Sequence, residues 1–255
     1  MKNIFIVSKY TFVEVYKSKI LLNIILLGFA LILISYVASE FSHGVQARVA
    51  LDFGMGSMYL VIMGISIFIG VSLLSKEVEN RTAYMILSRP IKRWQFLTGK
   101  FLGMSAILFV NVFLLGVIIL AFYFFLGGNV SMLMWWSLFF SLLESQIILL
   151  VVIFFSLITN VTMAVIYTIC IFLLGHILGA TLMINFIKDH FIWVKLLTFT
   201  KWIIPDFDKL NLKDYIIYNQ SMPLNYLMGS LSYAILYIGF MLILNIIVFE
   251  RKELD

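Results

Sequence analysis

Apolar positions along the chain fall in long, nearly unbroken stretches instead of alternating with polar ones. A helix rises about 1.5 Å per residue, so roughly 20 apolar residues carry it across a hydrocarbon layer of about 30 Å. Six stretches approach or exceed that length: Ile20 to Ala38, Phe53 to Leu74, Gly99 to Leu126, Met132 to Leu157, Val161 to Ile184 and Asn225 to Phe249. Continuous runs favour helices over the short alternating strands of a membrane barrel. The pattern therefore predicts an all-α membrane protein with six transmembrane helices. Only the uncharged residues 156–162 separate the fourth and fifth runs, and Thr159, Asn160 and Thr162 predict a tight turn there.

Residues 2–18 interleave Ile4, Phe5, Val7, Phe12, Val15 and Tyr16 with Lys9, Glu14 and Lys17, too few and too charged to span. Two readings stand: an interfacial helix over residues 1–19 on the cytoplasmic face, or a continuation of the first span. Lys2, Lys9, Lys17 and Lys19 precede the first apolar run, and no convincing small-residue cleavage site follows it. The segment is read as retained and not as a signal peptide.

Charge sets the orientation. Basic residues gather in the N-terminal segment, in residues 75–100 (Lys76, Arg81, Arg89, Lys92, Arg93, Lys100) and in the tail (Arg251, Lys252). Six spans put these three segments on one side, which the excess of Lys and Arg makes cytoplasmic, with both termini inside. The extracytoplasmic loop at 185–224 holds five Lys, but Asp189, Asp206, Asp208 and Asp214 offset them.

Composition agrees. The chain is 63% hydrophobic and 12% charged, with a mean hydropathy of +1.07, whereas soluble domains carry about 25% charged residues. Three prolines and no long polar run leave residues 1–255 as one transmembrane domain. A net charge of +5 placed beside apolar runs serves membrane topology, so the lipid bilayer is the expected partner and nucleic acid is not. Cys170 is the only cysteine and lies in an apolar run, which leaves neither an intramolecular disulfide nor a multi-cysteine metal site.

Searchable catalytic motifs are missing. Gly99-Lys100 is followed by Phe101, and Trp94 stands where a phosphate-binding loop needs its first glycine. His43, His176 and His190 have no zinc-protease spacing, and no nucleophile elbow occurs. No metal or cofactor is expected on this chain, and a nucleotide-driven function needs a second polypeptide.

The segment from Ser75 to Lys100 reads as two short helices. Glu77 and Glu79 suit a helix N-terminus, and Tyr84, Met85 and Leu87 follow as an apolar cluster. Pro90 ends the first helix, and Ser88 suits the cap of the second. Ile91, Trp94 and Leu97 recur at helical spacing, with Lys92, Arg93 and Gln95 polar between them. On composition alone, a basic loop held at anionic lipids competes with a docking site.

The same segment resembles the loop between the second and third helices of ABC-2 type transporter permeases. The matching residues are Glu77, Glu79, Thr82, Leu87-Ser88-Arg89-Pro90-Ile91-Lys92-Arg93 and Gly99-Lys100-Phe101-Leu102-Gly103. Arg81 departs from the pattern, since many members carry glycine before the threonine. The N-terminal amphipathic segment, the six runs, Ile204-Pro205-Asp206-Phe207 before the last run and the charged tail extend the likeness over nearly the whole chain.

The resemblance implies a cytoplasmic coupling helix within residues 75–98 that docks on a separate ATPase. Glu77, Glu79 and Arg81 would make charged contacts beside Thr82, and Tyr84 and Met85 would anchor apolar ones. Ser88, Arg89, Pro90 and Arg93 would shape the loop. ATP and Mg would sit on the partner ATPase subunits. A second permease copy or close homologue would complete the pathway, in the plasma (inner) membrane of a bacterium or archaeon, and export is the expected direction.

Glu144 falls near the middle of the fourth run beside Ser141, Ser145 and Gln146. It reads either as a pathway or gating acid or as a neutral hydrogen-bonded carboxyl that holds helices together. His176 reads as a satisfied interior histidine. An intramembrane enzyme using Glu144 and His176 as an acid–base pair, and a non-transporting scaffold, are the alternative functions. Gly99-x-x-x-Gly103 and Gly175-x-x-x-Gly179 permit close helix approach, for internal packing or a dimer seam.

Overall fold

A computed structural model of the chain describes residues 2–17, 45–72, 92–181, 203–218 and 220–252, with isolated positions between 26 and 40 and at 195, 197 and 200. Every regular element among the described residues is helical. The helices are α1 (Lys2–Lys17), α2 (Gln46–Gly70), α3 (Arg93–Phe125), α4 (Met132–Ile158), α5 (Val161–Thr181), α6 (Lys213–Ile217) and α7 (Leu224–Arg251), with a 3-10 turn at Phe207–Leu210.

Four of them, α2, α3, α4 and α7, are long and apolar enough to cross a membrane. The apolar α5 has 21 residues. The first predicted span, 20–38, lies outside the described residues except at scattered positions. Of these, Gly28 lies against Leu115 and the Tyr36 ring meets Phe122 edge-on at 6.0 Å.

Helix ends differ from the hydropathy bounds for a physical reason. Hydropathy marks the hydrocarbon, whereas a helix continues until a cap or breaker stops it. Thus α2 begins at Gln46 instead of Phe53, and α3 at Arg93 instead of Gly99. Lys92 is extended, and its N–H donates to the Gln95 carboxamide at 3.3 Å, which fixes the start of α3. The 33 residues of α3 reach about 50 Å, more than a hydrocarbon core of about 30 Å, so one end of α3 stands outside it. At its other end Gly127 takes φ 81°, and Gly127 and Gly128 donate back to Phe124 and Tyr123, a left-handed glycine stop. Two residues separate α4 from α5, with Thr159 extended and the Asn160 carbonyl accepting from Ala164.

The core centres on α4. Residues Ile147 through Ile153 are all buried, so this helix is covered on every side. Helices α2, α3, α5 and α7 pack around it. Gly54 and Gly116 let α2 and α4 approach α3, and Gly70 lets α2 approach α4.

Helix α1 lies across the start of α3. A Cβ on Gly99 would fall 2.9 Å from the Ile4 carbonyl oxygen, and one on Gly103 would fall 2.7 Å from that of Ser8. The first small-residue pair therefore serves internal packing. Between the two glycines, Lys100 is buried beneath α1 and lies 3.6 Å from Glu14.

Residues 203–218, inside the long loop predicted at 185–224, fold back on the bundle. Pro205, Asp206, Phe207, Leu210, Leu212 and Ile216 are buried. The Asp206 N–H donates to the Tyr233 hydroxyl at 2.8 Å, the Tyr237 hydroxyl donates to the Ile203 carbonyl at 3.2 Å, and Lys213 pairs with Asp52 at 2.6 Å. A Cβ on Gly175 would collide with the Pro205 carbonyl and the Phe207 ring, so this glycine too serves internal packing.

Candidate functional site

Two places concentrate polar chemistry. The first is the end of the bundle where α3 starts and α4 and α7 stop. The last carbonyls of a helix lack partners within it and carry the negative end of its dipole. Arg93 meets that need for α7. Its Nη1 donates to the carbonyls of Phe249, Glu250 and Lys252 at 3.4, 3.1 and 2.9 Å. Lys252 then donates through Nζ to the Leu157 carbonyl, at the end of α4, at 2.7 Å. Partial burial lowers the pKa of this ammonium. The buried Phe96 and Phe249 rings stack at 6.1 Å between α3 and α7. The first turn of α3 is thereby tied to the end of α7, and that end to α4.

Arg93 is the one predicted loop residue among those described. Glu77, Glu79, Arg81, Thr82, Tyr84, Met85, Ser88, Arg89 and Pro90 lie outside the described residues. Local spacing places Arg93 beside a helix start but gives no sign of its acceptors, which begin 156 residues further along the chain.

The second place is inside the bundle. Glu144 and His176 stand sixteen residues before and after Asn160, so the antiparallel hairpin of α4 and α5 brings them to one depth. Glu144 Oε1 lies 3.3 Å from His176 Nε2, with the carboxylate side chain 1% exposed and the imidazole 22%. His176 Nδ1 is 3.1 Å from the Phe172 carbonyl oxygen.

The imidazole is boxed by rings. Phe172, Phe207 and Tyr59 have centroids 4.5, 5.3 and 6.4 Å from it. Tyr59 lies beside Ser137 and Ser141. The Tyr59 hydroxyl, the Ser137 hydroxyl and both Glu144 oxygens have no hydrogen bond of good geometry among the described residues. Nearer the end where α4 and α7 stop, Asn245 Nδ2 donates to the Leu150 carbonyl at 3.0 Å and joins α7 to α4. Among the described residues no cluster of three His, Cys, Asp or Glu side chains forms a metal site.

A helical bundle of this length and apolarity, closed by packing at both ends and carrying a polar pair inside, is a multi-pass membrane protein. The chain belongs to the ABC-2 family transporter proteins, whose family model matches residues 6–254. Comparison with curated proteins finds no match. Members of this family are transport subunits that normally work with an ABC ATPase.

Proposed function

We propose that the chain is the permease subunit of an ATP-driven exporter, coupling hydrolysis by a separate ATPase to passage of a substrate across the plasma membrane. The observation that carries this reading is the family match over residues 6–254. Two permease chains, identical or homologous, enclose the pathway, and two ATPase subunits carry ATP and Mg. This chain holds no cofactor of its own.

Residues 75–98 form the coupling segment, with Glu77, Glu79, Arg81, Thr82, Tyr84 and Met85 against the ATPase and Ser88, Arg89, Pro90 and Arg93 shaping its return. The Arg93 contacts support this reading, because they hand movement of that segment directly to α7 and α4. Both termini are cytoplasmic, and α1 is interfacial. The packing of α1, the start of α3 and the end of α7 supports this, since one end of the bundle collects the basic segments.

Isolation of the chain from its native membrane tests the proposal. A Walker-type ATPase should accompany it, and the double variant E77A/E79A should release the ATPase or leave hydrolysis unlinked to transport, with membrane insertion normal. Normal coupling in that variant would overturn the role of the segment. The Glu144–His176 contact also favours an intramembrane acid–base enzyme; turnover by the chain alone, without ATPase, would decide for that reading.

A further inference from the structure

We propose that Glu144 and His176 together form a buried proton-binding site, holding one proton between them under the cover of Phe207 and exchanging it through the histidine.

The inference starts from donors and acceptors. The Phe172 carbonyl can only accept, so the His176 Nδ1 facing it at 3.1 Å carries a hydrogen. That leaves Nε2 towards Glu144 Oε1 at 3.3 Å. Were the carboxyl ionised and the imidazole neutral, an anion and a lone pair would face each other in a site shielded from water. A lone carboxylate near mid-helix costs several kcal/mol. One added proton removes both penalties, as O–H···N or as O⁻···H–N⁺, and makes the pair neutral overall.

The surroundings suit a site that gains and loses that proton. From α2 comes the Tyr59 hydroxyl, which lies beside Ser137 and Ser141, is within electrostatic reach of Glu144, and makes no hydrogen bond of good geometry among the described residues. Asp208 on the 3-10 turn acts on His176, and Asp214 on α6 acts on Tyr59. Lys209 on the same turn lies 3.5 Å from Asp206 and 4.5 Å from the Tyr233 ring centre.

Burial separates the two partners. The Glu144 carboxyl is 1% exposed and the His176 imidazole 22%, so the imidazole is the member of the pair nearer the surface of the bundle and the one through which exchange is proposed to pass. Phe207 stacks on that ring with its plane 26° away and is itself buried. It is held there by the turn that seats on Gly175. On release the proton leaves its bond to Nε2 or Oε1, the electron pair stays behind, and a water molecule that reaches the imidazole takes the proton. A carboxylate and a neutral imidazole remain. The site thus links the outer turn, through Phe207, to the charge inside the bundle.

The test uses the full-length chain in lipid nanodiscs with ¹⁵N-labelled histidine, the His176 signals being identified by their loss in H176N. Wild type should show His176 ring-nitrogen signals that change with pH together with an infrared band of a protonated carboxyl that is missing from E144Q. E144Q should abolish the pH response of His176. An identical response in wild type and E144Q, or no response in wild type, overturns the proposal. If E144Q does not fold, H176N decides: the pH response of the Glu144 band should be lost, and an unchanged band overturns the shared proton. F207A should speed exchange of the His176 proton with water, and an unchanged rate overturns the role of Phe207. None of these readouts depends on transport or on an ATPase.

Discussion

Arg93 shows how one side chain can join elements that the sequence keeps far apart. Its guanidinium is permanently charged and planar, and Nη1 alone reaches three carbonyls at the end of α7. A hydrogen bond to a charged group contributes on the order of 1.5–3 kcal/mol, and three acceptors sharing one nitrogen do not add. R93A should therefore lower stability by about 2 kcal/mol, read as a reduced unfolding midpoint in detergent. Under the proposed function it should also lower the substrate moved per ATP hydrolysed. R93K should restore part of the stability, because an ammonium keeps the charge and three N–H donors but lacks the planar, pre-organised fork of the guanidinium. Unchanged stability and coupling in R93A would show that the contacts carry no load. A motif could place this arginine at a helix start, yet nothing local could reveal its partner.

At the scale of elements, the crossing of α1 over α3 is the sharpest case. Small-residue spacing identified Gly99 and Gly103 as a close-approach surface but could not say what approaches; the answer is Ile4, Val7, Ser8 and Thr11 of α1. G103L places a branched side chain where 2.7 Å separates a Cβ from the Ser8 carbonyl oxygen, so α1 must lift. Trypsin should then cleave G103L after Lys9 and Lys17 under conditions that spare wild type, while equal resistance would remove the glycines from this role. Long apolar helices were legible because hydrocarbon thickness fixes their length. Their ends were less so, as α2 and α3 show, because a helix can continue past its apolar run; at the start of α3 the Lys92–Gln95 cap sets the boundary. Within the loop read at 185–224, the inward packing of residues 203–218 was not legible, because charges break up its apolar positions; Phe207, Leu210, Leu212 and Ile216 turn inward while Asp208 and Lys209 remain more exposed. The pairing of Glu144 with His176 was named from the sequence as an alternative, and equal spacing from the Asn160 turn, which sets two residues of a hairpin at one depth, is its physical basis.

For the whole molecule, the two ends of the bundle differ in kind. One end gathers α1, Lys92, Arg93, Lys100 and the Arg251-Lys252 tail, joined by the Glu14, Phe249 and Leu157 contacts. The other holds the Gly127 turn, the Asp52–Lys213 pair and the folded segment around Phe207. The excess of Lys and Arg at the first end is the basis for the proposal that this end faces the cytoplasm. Cys170 is the only cysteine, so C170S gives a background in which one introduced thiol reports one position. In intact cells, a membrane-impermeant maleimide should label G127C and spare K9C, and both should react once the membrane is opened. Labelling of K9C alone would invert the orientation, and labelling of both from outside would break the topology on which the coupling role of residues 75–98 depends. Because α3 runs continuously from Arg93 to Phe125 and α1 packs on its start, these two sites report on opposite ends of one helix.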